Sequence, residues 1–104
     1  MSILPGTRAA RLYGAGEVTE DYYCNYGVNP LYQRRLEDGG LGVSGRGDAG
    51  EIRIVELPDH PFFLATLFLP QARSMPARPR PLLVGYAAAV TASRALRSRP
   101  TPAI

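Results

Sequence analysis

Apolar and polar side chains are arranged differently in two short stretches of the chain, and the two patterns predict different kinds of β-strand. Ile52 and Ile54 alternate with Arg53 and Glu56, which is typical of a strand with one buried and one exposed face. Residues 62–68 are nearly all apolar, which is typical of a strand covered on both faces. The first pattern predicts an antiparallel strand with Arg53 and Glu56 on its exposed side, and the second predicts a buried inner strand.

Three helices are predicted where apolar spacing and capping residues agree. They cover residues 7–13, 31–38 and 82–97. Thr7 is the predicted N-cap of the first helix, and Gly14 follows its last turn. Asn29 is the predicted N-cap of the second helix, and Pro30 suits its first position. The third helix carries its larger apolar side chains along one side.

The remaining segments complete an alternating order of strands and helices. Further strands are predicted at residues 2–4, 41–45 and 51–57, with an extended segment at 17–26 and a proline-rich connection at 71–81. This order predicts an α/β fold. Because the chain has 104 residues, it forms one domain at most. We expect that domain to cover residues 1–97 and residues 98–104 to be a disordered tail.

Composition excludes several classes of protein. Hydrophobic residues make up 45% of the chain, yet no apolar run approaches the roughly 18 residues of a membrane span. The first residues lack the charged start and apolar stretch of a signal peptide. With one cysteine the chain cannot form an internal disulfide, which fits a reducing compartment. We therefore expect a cytoplasmic protein without a membrane partner.

The basic charge of the chain does not predict a nucleic-acid partner. All 12 basic residues are arginines, and the formal net charge is +3. A nucleic-acid surface needs these charges gathered on one face or stripe, whereas here they are scattered. The densest group, Arg94, Arg97 and Arg99, lies near the C-terminus. We expect no nucleic-acid partner.

Residues 55–81 read VELPDHPFFLATLFLPQARSMPARPRP. This segment resembles the run ELPDHPFFVATQFHPEF-S-P-RPHPLF at the C-terminus of CTP synthases, within their class I glutamine amidotransferase domain. Matching words continue in order from about residue 4 to about residue 89, including LPGT, LYG, VTE and YGVNPLY. The resemblance implies the second part of such a domain, a flavodoxin-like three-layer fold with a mixed sheet and flanking helices.

The resemblance also identifies the positions where the family carries its chemistry. The family's catalytic His and Glu, in the motif FHPE, are replaced here by Leu69 and Gln71. Leucine has no group that takes a proton, and glutamine carries no charge that could stabilise an imidazolium. The chain also lacks the G-x-C-x-G turn of the family's nucleophile. It resembles a degenerate branch of the family, the CTP synthase C-terminal region-related (seleno)proteins.

The resemblance implies a catalytically inactive domain with a structural, assembly or regulatory role. Cys24 leaves an alternative open, because it lies where the family has the basic segment RHRHR. It is either a small buried hydrophobic residue or a reactive thiol of an enzyme with different chemistry. We favour the first, since the charge of Asp21 disfavours a thiolate. A third reading is a fragment of a glutamine-dependent amidotransferase of pyrimidine nucleotide biosynthesis.

No cofactor or metal is predicted. His60, the only histidine, lies in the words PDHP, which are typical of a turn. One histidine and one distant cysteine make no ligand cluster, and no phosphate-binding loop of the G-x-x-x-x-G-K-[ST] type occurs. The partners we expect are a second copy of the chain, or a chain that supplies the first part of the domain.

Overall fold

The computed structural model describes residues 1–21 and 28–97. Its strands are β1 (Ser2–Ile3), β2 (Gly42–Arg46), β3 (Ile52–Glu56) and β4 (Leu64–Thr66). Its α-helices are α1 (Arg8–Tyr13), α2 (Gln33–Asp38) and α3 (Pro81–Arg97). Short 3-10 turns cover Pro30–Tyr32 and Pro70–Arg73. The predicted tail at 98–104 and the second half of the predicted extended segment, including Cys24, lie outside the described residues.

The four strands form one sheet in the order β1-β2-β3-β4. Every pair in it is antiparallel, so the described residues contain no parallel strand of the expected mixed sheet. The sheet is flanked by helices, which confirms the α/β class. The pairing of β2 with β3 shifts register around Gly45, where an added Cβ would lie 2.7 Å from Cγ1 of Ile54. Only glycine fits between the two strands at this position.

Helix α1 begins and ends where its capping residues predict. The Thr7 hydroxyl oxygen accepts a hydrogen bond from the amide of Ala10 at 3.1 Å, as an N-cap side chain does. Gly14 follows the helix with φ of 68°, a left-handed conformation that glycine adopts without a steric cost. The predicted Asn29 cap is also confirmed, because its side chain accepts from the amide of Leu31 at 3.1 Å.

The core lies between one face of the sheet and helices α1 and α3. Its buried members are Met1, Ile3, Ala9, Ile54, Phe68 and Leu82. Helix α3 approaches α1 closely at Gly85, where an added Cβ would lie 2.6 Å from a methyl group of Leu12. The two helices can therefore pack directly over Ile54, which is fully buried. No helix in residues 1–21 and 28–97 is both long and apolar enough to span a bilayer.

The prediction of a buried inner strand over residues 62–68 is wrong for the described structure. Only Leu64–Thr66 form a strand, and β4 is the edge of the sheet. Phe63 keeps 42% of its surface exposed, and Ala65 is also exposed. Phe68 alone of the segment is fully in the core. Among residues 1–21 and 28–97, β4 pairs with β3 on one side and with no strand on the other, and part of the apolar segment is exposed.

Candidate functional site

The segment that contains Leu69 and Gln71 follows β4. The Thr66 hydroxyl donates to the carbonyl of Phe68 at 3.0 Å, and the buried Phe68 ring anchors the segment in the core. The amide of Leu69 donates to the carbonyl of Asp21 at 3.3 Å. The Leu69 side chain remains 42% exposed, and Gln71 is exposed in the 3-10 turn Pro70–Arg73. The backbone is held from two sides, while both side chains face solvent.

A buried carboxylate, that of Glu20, precedes Asp21 in the chain. The side chain of Glu20 is fully buried, accepts a hydrogen bond from the Tyr13 hydroxyl at 2.7 Å and pairs with Arg80 at 2.9 Å. The same guanidinium donates to the carbonyl of Thr19 at 3.4 Å. A charge buried in this way requires an ionic or hydrogen-bonding partner. The contacts therefore tie the chain at residues 19–20 to the start of α3.

A second ion pair links the same segment to the Leu69–Gln71 loop. Arg73 and Asp21 lie 2.9 Å apart, with side chains 47% and 34% exposed. This ion pair and the hydrogen bond from the Leu69 amide both place Asp21 next to the Leu69–Gln71 loop. Cys24 itself lies outside the described residues, so its nature as a structural or reactive thiol stays a prediction.

Neither Leu69 nor Gln71 can act as a general base. Leu69 presents only an alkyl group, and Gln71 presents a neutral amide. His60 lies instead in the turn after β3, where Nδ1 accepts a hydrogen bond from the amide of Phe62 at 3.1 Å. Its ring also meets the ring of Phe63 edge-on, with centroids 5.9 Å apart. Its turn geometry agrees with the prediction from the PDHP words.

Glu56 has a role that the sequence prediction missed, because its charge suggested an exposed position. Its carboxylate accepts hydrogen bonds from the amides of Arg8 at 2.8 Å and Ala9 at 3.2 Å, and only 6% of the residue is exposed. The prediction that it points to solvent is therefore wrong. Glu56 lies on the same face of β3 as Ile54, and the unpaired amides of the first turn of α1 draw it inward. A lone glutamate at the end of a strand carries no sequence signal for this contact.

The β2–β3 hairpin, away from the Leu69–Gln71 segment, contains a carboxyl whose pKa is lowered. Hydrogen bonds from its own backbone amide and from the amide of Ala49, with the nearby Arg53 guanidinium, lower the pKa of the Glu51 carboxyl below its ordinary value. No group of three or more His, Cys, Asp and Glu side chains among the described residues could hold a metal ion.

A sheet flanked by helices, with the motif segment following a strand beside α3, has the architecture of part of a class I glutamine amidotransferase domain. A solved structure of the Trypanosoma brucei CTPS glutaminase domain, with bound acivicin, superposes on it with a TM-score of 0.78 and 32% sequence identity. The match covers 86% of this chain and 37% of the trypanosomal chain. The chain is therefore a relative of the glutaminase domain of CTP synthase.

Curated relatives show the same similarity. The chain is 47% identical over 87 residues to the CTP synthase of Archaeoglobus fulgidus, covering 83% of this chain and 16% of that protein. It is 47% identical over 96 residues to that of Pyrobaculum calidifontis, covering 90% and 18%. It is 46% identical over 99 residues to that of Thermus thermophilus, covering 88% and 18%. The chain thus spans less than a fifth of these relatives' length, and no family model matches it.

Proposed function

We propose that this chain is a glutaminase-like unit that does not hydrolyse glutamine and that serves a structural or assembly role. The observation that carries the proposal is the pair Leu69 and Gln71, which occupies the motif segment after β4. An activated nucleophile needs a base within hydrogen-bond reach, and that base needs an orienting partner. An alkyl group and a neutral amide supply neither function.

The scaffold around the motif supports an assembly role. The Glu20–Arg80 pair, the Glu56 contacts to α1 and the Ile54 core are all formed. The Leu69–Gln71 loop itself is held by the Leu69 amide, which donates to the Asp21 carbonyl, and by the Arg73–Asp21 ion pair. The chain keeps its buried ion pair and its core, while Leu69 and Gln71 supply no base. Such a unit is suited to support the structure of another polypeptide.

The test is ammonia release from glutamine by the purified chain, followed with a coupled glutamate dehydrogenase assay. We expect release at the background rate, with the CTP synthase of Thermus thermophilus as the positive control. The double variant Leu69→His/Gln71→Glu should also remain at background, because the chain has no G-x-C-x-G turn to supply a nucleophile.

Hydrolysis above background that follows the chain through purification would contradict the proposal. A Cys24→Ser variant then identifies the source of that activity. Loss of hydrolysis in this variant would favour the alternative of a thiol enzyme, because a serine without a base is a poor nucleophile. Hydrolysis that persists would instead require a nucleophile other than this cysteine.

A further inference from the structure

A cavity of about 570 Å³ lies between the turn that follows β3 and the outer side of helix α3. Small-molecule sites in proteins occupy about 300–1,000 Å³ and are lined mainly by apolar and aromatic side chains with a few polar groups. This cavity has the same composition. Its principal lining residues are His60, Phe62, Tyr86, Val90, Ser93 and Arg94. None of these residues belongs to the Leu69–Gln71 segment.

Helix α3 forms one wall of the cavity. Tyr86, Val90 and Arg94 follow one another at intervals of four residues, and side chains with this spacing lie on the same side of a helix. Tyr86 keeps 58% of its surface exposed and Val90 keeps 49%. This side of α3 is therefore apolar, is not packed in the core, and carries a cation near the end of the helix.

The ring of Phe62 forms the opposite wall and is held from two helices. It meets the ring of Tyr86 edge-on, with centroids 5.7 Å apart and planes inclined by 64°. The guanidinium of Arg8, at the start of α1, lies 5.8 Å from the centre of the Phe62 ring and donates to the carbonyl of Pro61. Inclined aromatic pairs leave ring faces and edges against which a third ring packs favourably.

Two polar groups of the lining indicate the charge of a ligand. Nδ1 of His60 accepts a hydrogen bond from the amide of Phe62 at 3.1 Å, so the proton of the neutral imidazole lies on Nε2, which is a donor. The guanidinium of Arg94 is always charged and carries five N–H donors. Among the described residues that line the cavity, none is acidic. The lining therefore complements a group with one negative charge and several acceptor positions.

We propose that this cavity binds a small aromatic carboxylate. Its aromatic body packs against Phe62, Tyr86 and Val90, and its carboxylate accepts hydrogen bonds from Arg94 and His60. A guanidinium suits a carboxylate because both groups are planar and can form two parallel hydrogen bonds. One guanidinium and one neutral imidazole match a single negative charge better than the double charge of a phosphate ester.

Free glutamine does not have the chemistry of this cavity. It carries an ammonium group and a polar side chain, and burying such groups against apolar walls without hydrogen-bonding partners is unfavourable. The proposed site therefore does not depend on whether the chain hydrolyses glutamine.

The experiment is a titration of the full chain with three probes that share one aromatic body, followed by the NMR shifts of backbone amides. The probes are indole-3-acetate, the neutral indole-3-acetamide and the cationic tryptamine. We expect indole-3-acetate to bind with a Kd of about 1 mM, as for a fragment of this size. It should shift the amides of Phe62, Tyr86, Val90 and Ser93. The acetamide should bind roughly tenfold more weakly, because it loses the charge-assisted hydrogen bonds, and tryptamine more weakly still.

Two valines of α3 provide a matched pair of variants. Val90 and Val84 are both 49% exposed, but only Val90 lines the cavity. Val90→Trp should fill the cavity and weaken the binding of indole-3-acetate by roughly tenfold or more, whereas Val84→Trp should leave it unchanged.

A second matched pair tests the charge. Arg94→Gln should weaken the binding of indole-3-acetate by roughly tenfold, because a charge-assisted hydrogen bond is lost. Arg34→Gln, at an exposed position of α2, lowers the net charge equally and should leave binding unchanged.

Three results would overturn the proposal. The first is an absence of saturable amide shifts at the lining residues. The second is equal weakening by the two members of either matched pair, which would place the ligand elsewhere. The third is binding of tryptamine or glutamine as tight as that of indole-3-acetate, which would exclude a site for an aromatic anion. None of these results changes the ammonia assay, so the binding site and the loss of hydrolysis are tested separately.

Discussion

The two faces of the sheet differ in how completely the described structure covers them. Ile54 is fully buried under α1 and α3, whereas the neighbouring Val55 faces the exposed Ala65 on the other side. One face carries the core, the cap contacts of Glu56 and the anchor Phe68. The other face carries apolar side chains that solvent reaches. One face is therefore closed by contacts within the chain, whereas the described residues leave the other face partly open around β4.

The same contrast separates the two ion pairs that hold residues 20 and 21. Glu20 is fully buried beside Arg80, while Asp21 and Arg73 are both partly exposed. The first pair is desolvated and reinforced by the Tyr13 hydroxyl. The second is screened by water and salt. We expect the buried pair to contribute to stability and the exposed pair mainly to orient the loop.

The largest effect is expected on the covered face. Ile54→Ala should lower the free energy of unfolding by about 2–5 kcal/mol, because it leaves a cavity under two helices. Leu69→Ala, at the exposed motif position, should change it by less than about 0.5 kcal/mol. Urea unfolding followed by circular dichroism measures both. Equal effects would contradict the distinction between the core face and the motif segment.

The next largest difference in stability is expected between the two ion pairs. Arg80→Ala should destabilise the chain by roughly 2–4 kcal/mol, since it leaves the Glu20 carboxylate buried without its cation, and Arg80 itself is only partly exposed. Arg73→Ala should cost less than about 1 kcal/mol, as is usual for an exposed pair. The midpoints of chemical unfolding of the two variants measure this difference in stability. A larger loss from Arg73→Ala would show that the exposed pair is the stronger tether.

A smaller effect is expected at the start of α1. Thr7→Ala should cost about 1 kcal/mol, because the amide of Ala10 loses its capping oxygen while Glu56 still caps the amides of Arg8 and Ala9. Thr91→Ala on α3 is the matched control. Its hydroxyl bonds only to the carbonyl of Ala87 within the helix, so its loss should not destabilise the chain. Thermal unfolding of both variants measures the difference.

The smallest effect concerns pH and the β2–β3 hairpin. The folded pKa of Glu51 lies below its ordinary value of 4.5, so its carboxylate stabilises the hairpin above that pH. The contribution is lost as the pH falls through the folded pKa. Glu51→Gln should therefore destabilise the chain at neutral pH, and the difference from the parent chain should shrink in acid. Unfolding curves over this pH range test the sign, and a difference that grows toward low pH would contradict it.

Local sequence signals by themselves determined much of this protein. The caps Thr7, Gly14 and Asn29, the hairpin and the long last helix lie where the residues predict them, because capping and turn chemistry act within a few residues. The segment with Leu69 and Gln71 was located by its resemblance to the family's motif, which neighbouring residues of the chain carry.

Only the tertiary structure decided which surfaces are covered. Glu56 is drawn inward by amides some 47 and 48 residues away in sequence, and no local pattern records such a partner. The Glu20–Arg80 pair likewise joins distant segments. The segment 62–68 has the composition of an inner strand but lies at an edge, since burial depends on what packs beside a strand. Propensity and alternation are local properties, whereas burial depends on the whole assembly of contacts.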